Sequence, residues 1–261
     1  MVITARTQMV SHRYSIDEAM KFFKDSGFGG IEFCMEDRAF NARLDFLEDF
    51  FIDHTVEKAK ETGIRIMSVS NHIGFAFDDL MFSHMKRIIP KVRKFGTDIL
   101  IISSADKGTR KLTDPDCYKQ LKSRLNDLLE IADANGVMLA LEPEPPHLLI
   151  GTADFMEFCA GLKYDLKINF DVGHAFLTDP DIYESIKILK GKIVHTHVEN
   201  MRRGEHLHRV LNDGDMDLGK IFAALKDIGY EGALSLDLYV QDYEKEAPIA
   251  AGQMREILSK L

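Results

Sequence analysis

The chain has 261 residues, 45% hydrophobic and 29% charged, with a formal net charge of −9. That length suits one domain, residues 1–261, with a sizeable core, and the acidic balance weighs against a nucleic-acid backbone as partner. No apolar run reaches the ~18 residues of a membrane span, and Met1 to Arg13 lacks the sections of a signal peptide, so a cytoplasmic protein is expected.

Short apolar runs alternate with helical patterns. Strands are predicted near Val2–Ala5, Gly30–Cys34, Arg65–Ser70, Asp98–Ser103, Met138–Glu142, Lys167–Asp171, Ile193–Val198 and Ala233–Leu238. They recur at roughly 30-residue intervals, as expected of a repeated βα unit. Between them, Ser15 and Glu18 form a capping-box pattern with Gly27 as the stop. Asp114-Pro115 and Asp179-Pro180 each look like an N-cap followed by proline at the first helical position. Pro90 should break the helical pattern between Asp78 and Phe95. Phe22, Phe23, Phe46, Phe50 and Phe51 fall on helical spacing and are expected in the core. Cys34, Cys117 and Cys159 are too few and too scattered for a disulfide framework or a CxxC zinc site, and read as buried thiols. An open doubly wound sheet is the rival architecture, but no GxGxxG follows the first strand and no GxxxxGK[ST] occurs. The expected fold is α/β, a closed (β/α)₈ barrel of the TIM type.

Residues two apart on a strand share a face. Asn169 and Asp171 are so spaced, as are His195 and His197, Ser235 and Asp237, and Glu142 and Glu144 around Pro143. The outer face of a barrel strand must be apolar, so these pairs point into the lumen near the C-terminal strand ends, where barrel active sites lie. Four consecutive strands thus end in Glu142, Asp171, His197 and Asp237. The plain alternative is separate caps or salt bridges. Taken together, three carboxylates and one imidazole suit one divalent metal ion: six-coordinate Mn²⁺, Mg²⁺ or Co²⁺, with Zn²⁺ as a further candidate. His174 should sit just above that ion and hydrogen-bond a substrate oxygen, unless it is a surface loop histidine. Arg203 could fix a hydroxyl or phosphate, and His72 and His208 could line the pocket. Glu32 fits a lumen ion pair or the site rim.

Leu141-Glu142-Pro143, Phe170-Asp171-Val172-Gly173-His174, His195-Thr196-His197 and the stretch from Asp213-Gly214-Asp215-Met216-Asp217 to Leu236-Asp237 resemble the xylose-isomerase-like barrels. That superfamily holds sugar isomerases, 3-epimerases, inosose dehydratases and endonuclease-IV-type enzymes. The resemblance implies metal ligation by Glu142, Asp171, His197 and Asp237. It also implies substrate contacts from His174 and from Arg203, with Arg202 as the near alternative. Two departures stand out: Asp237 replaces the usual glutamate, and Val198 to Arg203 matches the epimerase loop only loosely. The expected chemistry is isomerisation or epimerisation of a carbohydrate through an enediolate, with Glu142 and Asp237 as bases. Dehydration of a cyclic polyol is one alternative. An endonuclease-IV-like phosphodiesterase, with His72, His174 and His208 as extra ligands, is another, and a catalytically inactive binding barrel a third. A small-molecule carbohydrate is the expected partner, with neither nucleic acid nor membrane, and association into a homo-oligomer is left open.

Overall fold

A computed structural model describes residues 1–35, 40, 48–104, 110–111, 113–240 and 242–261. Eight parallel strands close into a barrel in chain order: β1 (Val2–Arg6), β2 (Gly30–Cys34), β3 (Arg65–Asn71), β4 (Ile99–Ser103), β5 (Met138–Glu142), β6 (Lys167–Asp171), β7 (Ile193–Val198) and β8 (Ala233–Leu236). Closure is completed by β1 against β8, with Thr4 opposite Ser235. The helices are α1 (Ile16–Asp25), α2 (Asp49–Thr62), α3 (Asp79–Ile88), α4 (Pro115–Ala134), α5 (Thr152–Cys159), α6 (Val172–Thr178), α7 (Ile182–Ile188), α8 (Leu218–Asp227) and α9 (Tyr243–Ser259). The closed barrel is thus the expected fold. Among the described residues, no helix is long and apolar enough to cross a membrane.

Local chemistry accounts for most boundaries. Ser15 accepts from the Glu18 amide while the Glu18 side chain accepts from the Ser15 amide, the reciprocal box that starts α1. Asp114 caps α4 with Pro115 at its first position. Pro90 ends the α-helical run: α3 stops at Ile88 and a 3₁₀ helix continues over Ile89–Phe95. The left-handed Gly63, at φ 67°, turns the chain from α2 toward β3.

Two readings need correction. Asp179 does not start the helix after it; Asp181 caps α7 instead. Asp179 is buried and accepts from the Thr152 amide at 3.0 Å, the Thr152 hydroxyl at 2.6 Å and Ser185 Oγ at 2.7 Å. It therefore ties the start of α5 to α7, a tertiary role that local spacing does not reveal. Phe50 is 80% exposed, because α2 turns Phe51 rather than Phe50 toward Phe33, at 6.2 Å between ring centroids. Phe23 is fully buried and Phe22 packs against the core, whereas Phe46 lies outside the described residues. None of the three cysteines is in a disulfide, and Cys34 and Cys117 are buried.

The strands' outward faces carry Phe33, Val69, Leu100, Ile102, Leu139, Leu141, Ile168, Phe170, Val198, Leu234 and Leu236, all buried. The inward face is polar: Glu32, Ser68, Asn169, His195, His197 and Ser235 are 0% exposed. A lumen of this kind is stable only if its polar groups satisfy one another or a ligand.

Candidate active site

Several strands bring a polar side chain to the C-terminal end of the lumen. From β1, Arg6 donates through Nε to Glu32 Oε1 at 3.0 Å and through Nη1 to both oxygens of Asp237 at 2.9 Å. Nη1 also reaches the Tyr239 hydroxyl at 2.9 Å. From β2, Glu32 accepts from Ser235 Oγ at 3.1 Å and meets His197 Nε2 at 2.8 Å. From β5, Glu142 holds His72 Nε2 and Asn169 Nδ2, each at 2.9 Å, and His197 Nδ1 at 3.2 Å. From β6, Asp171 Oδ1 caps α6 by accepting the His174 amide at 2.7 Å, while its Oδ2 is buried with no hydrogen-bond partner.

His197 is the centre of the arrangement. Its Nδ1 lies 3.2 Å from Glu142 Oε1, 3.8 Å from Asp171 Oδ2 and 3.6 Å from Asp237 Oδ2. Burial alone would lower its pKa, but Glu142 and Glu32 on either side hold it well above the ordinary imidazole range. In this state a protonated imidazole supplies the positive charge that the carboxylates demand. One layer deeper, His195 joins Asn169 Oδ1 at 2.8 Å to Ser68 Oγ at 3.0 Å, and burial pushes its pKa down to about 3. The two histidines share a face, as their spacing requires, but differ in depth and charge.

The carboxyls are tuned apart. Burial would raise Glu142 and Asp237, but neighbouring cations outweigh it: His197 and then His72 for Glu142, Arg6 first for Asp237. Both stay ionised. Glu144 is raised to about 8 by burial and by the charge of Glu142, so it carries a proton at neutral pH. Glu199, two residues after His197, is fully buried and raised well above the carboxylate range by burial and then by Asp171 and Asp237.

These groups surround a cavity of about 270 Å³ lined by Arg6, Gln8, His72, Glu142, Glu144, His147, His174, His208, Asp237 and Tyr239. A larger hollow of about 570 Å³ beside α8 and α9 is open and holds Asp215, Glu256 and Lys260 without converging groups, so the smaller one is the candidate site. His174, 2% exposed, places Nδ1 3.4 Å from Glu142 Oε1, and neither ring nitrogen is hydrogen-bonded. His208 Nδ1 meets the Asp237 carbonyl oxygen at 3.0 Å.

Of the residues singled out in the sequence, Glu142, Asp171, His197, Asp237, His174, His72 and His208 thus come together. Arg203 does not line the cavity: its guanidinium stacks on the Phe176 ring at 3.8 Å and bonds the Phe176 carbonyl. Arg202 pairs with Asp213 at the surface. Arg6 and Glu199 escaped the sequence reading, although two-residue spacing from Thr4 and from His197 was a signal for both. Asp237 follows β8 rather than ending it, but its amide donates to the Val198 carbonyl at 3.0 Å and keeps it in register with β7.

The donor set fits a hard or borderline divalent ion. One ligand atom each from Glu142, Asp171 and His197 lies within 4.8 Å of the others, and the buried Asp171 Oδ2 has no other partner.

Comparison with known proteins places the fold and the family. A family model described as xylose isomerase-like TIM barrel matches residues 20–259. The L-ribulose-5-phosphate 3-epimerase UlaE of Salmonella paratyphi A is 23% identical over 241 residues, 88% of this chain and 84% of that protein. The solved structure of an L-ribulose 3-epimerase superposes with a TM-score of 0.80 at 20% identity, covering 99% of this chain and 95% of the other. The probable 3-DHS dehydratase AsbF of Bacillus anthracis superposes with a TM-score of 0.83 at 18% identity, covering 98% and 99%. At such identities the two structures share the fold.

Proposed function

This chain belongs to the xylose isomerase-like TIM barrel family, and we propose that it is a divalent-metal-dependent sugar isomerase or epimerase. The observation that carries this reading is the convergence of Glu142, Asp171 and His197 on one point beside an open cavity, with Asp237 3.6 Å from His197. The L-ribulose-5-phosphate 3-epimerase among its relatives supports a ketose as substrate class.

Glu142, Asp171, His197 and Asp237 would hold the ion, which when bound supplies positive charge to the oxygens of a developing enediolate. The residues of the chain do the rest. Glu142 is ionised, faces the cavity and is fixed by Asn169 and His72, as a base removing a carbon-bound proton must be. Asp237 has both oxygens held by Arg6, which keeps it a ligand and denies it the freedom of a mobile base. Glu144 is the other carboxyl on the cavity wall and returns the proton. His174 and His72 orient substrate oxygens. A base paired with a separate acid also serves dehydration of a keto-polyol, a second reading favoured by the pinned Asp237. Incubation with Mn²⁺ and a panel of ketoses, inososes and keto-acids tests the proposal. Formation of an aldose or an epimer supports it, an unsaturated keto product moves it to dehydration, and no turnover of any of them overturns it.

Two substitutions probe the assignments. His197→Ala should raise the Kd for Mn²⁺ by about 100-fold or more, whereas His195→Ala, which removes a group supporting the ligands from below, should raise it by about tenfold. Equal losses in isothermal titration would contradict this division of roles. Asp237→Glu should keep the ion and increase C3 epimerisation of a ketose, because the longer side chain reaches roughly 1.5 Å further. Unchanged or lower epimerisation at equal metal content would show that reach does not limit the wild type.

A further inference from the structure

The cavity differs in character between its floor and its mouth. Glu142, His174 and Asp237 on the floor are at most 3% exposed. Gln8, after β1, and His147, after β5, line the same cavity but are half-buried, and Tyr239, after β8, is 47% exposed. These three stand where the far end of a substrate would lie once its reacting carbons reached Glu142.

The mouth is built for groups that both give and take hydrogen bonds. The Tyr239 hydroxyl accepts from Arg6 Nη1 at 2.9 Å and donates to Gln8 Oε1 at 3.4 Å, which leaves the Gln8 NH₂ as a donor. His147 places Nδ1 3.2 Å from Glu144 Oε2. Amide, phenol, imidazole and carboxyl side by side suit hydroxyls, each of which donates one hydrogen bond and accepts others. A phosphate dianion only accepts, and it is held by guanidinium, ammonium or clustered backbone N–H groups.

Among the described residues, Arg6 is the one Lys or Arg side chain on the cavity wall. All three of its nitrogens are committed. Nε donates to Glu32, Nη1 to Asp237 and Tyr239, and Nη2 lies 3.3 Å from His72 Nδ1. Turning Arg6 toward a phosphate would leave the buried Glu32 and Asp237 carboxylates without their cation, a costly exchange. Glu142 and Asp237 would also repel an incoming dianion from the floor.

We propose that the substrate is an uncharged, unphosphorylated ketose or keto-polyol whose far hydroxyls are held by Gln8, His147 and Tyr239. The site discriminates against the corresponding terminal phosphate. The inference rests on the isomerase reading above and narrows its substrate class. It sets this chain apart from the relative named as an L-ribulose-5-phosphate 3-epimerase, whose name specifies a phosphorylated sugar.

The test compares matched pairs on the full-length, Mn²⁺-loaded chain: L-ribulose with L-ribulose 5-phosphate, D-fructose with D-fructose 6-phosphate, and D-tagatose with D-tagatose 6-phosphate. Deuterium uptake from D₂O next to the carbonyl gives kcat/KM for each. The best free ketose should exceed its phosphate by about 100-fold or more, the scale of discrimination set by misplaced like charge. Gln8→Arg adds a guanidinium at the mouth and should narrow that ratio by about tenfold, through a lower KM for the phosphate. The wild-type ratio stands by itself if Gln8→Arg does not fold. Equal use of both members, or preference for the phosphate, overturns the inference and leaves the isomerase reading intact. Exchange of neither member of any pair overturns both. A ratio unchanged in folded Gln8→Arg overturns the placement of the far hydroxyls at Gln8.

Discussion

Replacing Glu142 by glutamine is expected to lower catalysed proton exchange by about 10³-fold or more, at the upper end of what a positioned general base contributes. The reason is geometric as well as electrostatic. Glu142 is an acceptor for three groups at once: His72 and Asn169 at 2.9 Å and His197 at 3.2 Å. An amide would turn an NH₂ toward one of these donors, leaving a buried clash of like groups, and would lose the negative charge that both a base and a ligand need. Single-turnover exchange at saturating Mn²⁺, normalised to bound metal, separates the two losses. A rate per bound ion within tenfold of wild type would mean that Glu142 is a ligand alone and that another group removes the proton.

Arg6→Met is expected to destabilise the metal-free chain by about 3–5 kcal/mol, the usual cost of removing one partner from a buried ion network. Arg6 is 3% exposed and answers Glu32 at 3.0 Å and both oxygens of Asp237 at 2.9 Å. Methionine keeps much of the volume but leaves two buried carboxylates facing each other across the β1–β2–β8 side of the lumen. Urea denaturation measures the loss, and the double variant Arg6→Met/Glu32→Gln should recover part of it, because the uncompensated charge is the cause. Saturating divalent metal should also narrow the gap, since an ion beside Asp237 supplies charge that Arg6 no longer does. A loss below about 1 kcal/mol would fit a solvated surface pair and contradict the network described here.

Most of the fold was legible because strand periodicity is local. The outward Leu139 and Leu141 against the inward Glu142, and the outward Ile168 and Phe170 against the inward Asn169 and Asp171, can be read by counting in twos. Glu142, Asp171, His197 and Asp237 were legible for the same reason. Arg6 was missed because the first strand was taken to end one residue early, at Ala5, which removed its most important side chain from the count. Glu199 and His208 belong to a loop whose return to the lumen is fixed by Asn200, which pairs with Arg209 through the backbone and holds the Leu211 carbonyl with its side chain. His208 was expected at the pocket all the same, whereas Glu199, two residues beyond His197, was passed over because the strand was taken to end at Val198. Arg203 fails for the opposite reason: its position suited a substrate contact, but the nearby Phe176 ring offered the guanidinium a closer surface. The reassignment of Asp179 makes the same point, since a cap that serves a helix 27 residues earlier cannot be seen in its own neighbours.

The most direct measurement of the central claim is solvent deuterium incorporation, followed by proton magnetic resonance, into ketoses incubated with the Mn²⁺-loaded protein in D₂O. Deuterium should appear at the carbon adjacent to the carbonyl, depend on added metal, and vanish in Glu142→Gln. Wild-type protein that binds Mn²⁺ through these residues yet exchanges no carbon-bound proton of any ketose, inosose or keto-acid would contradict it.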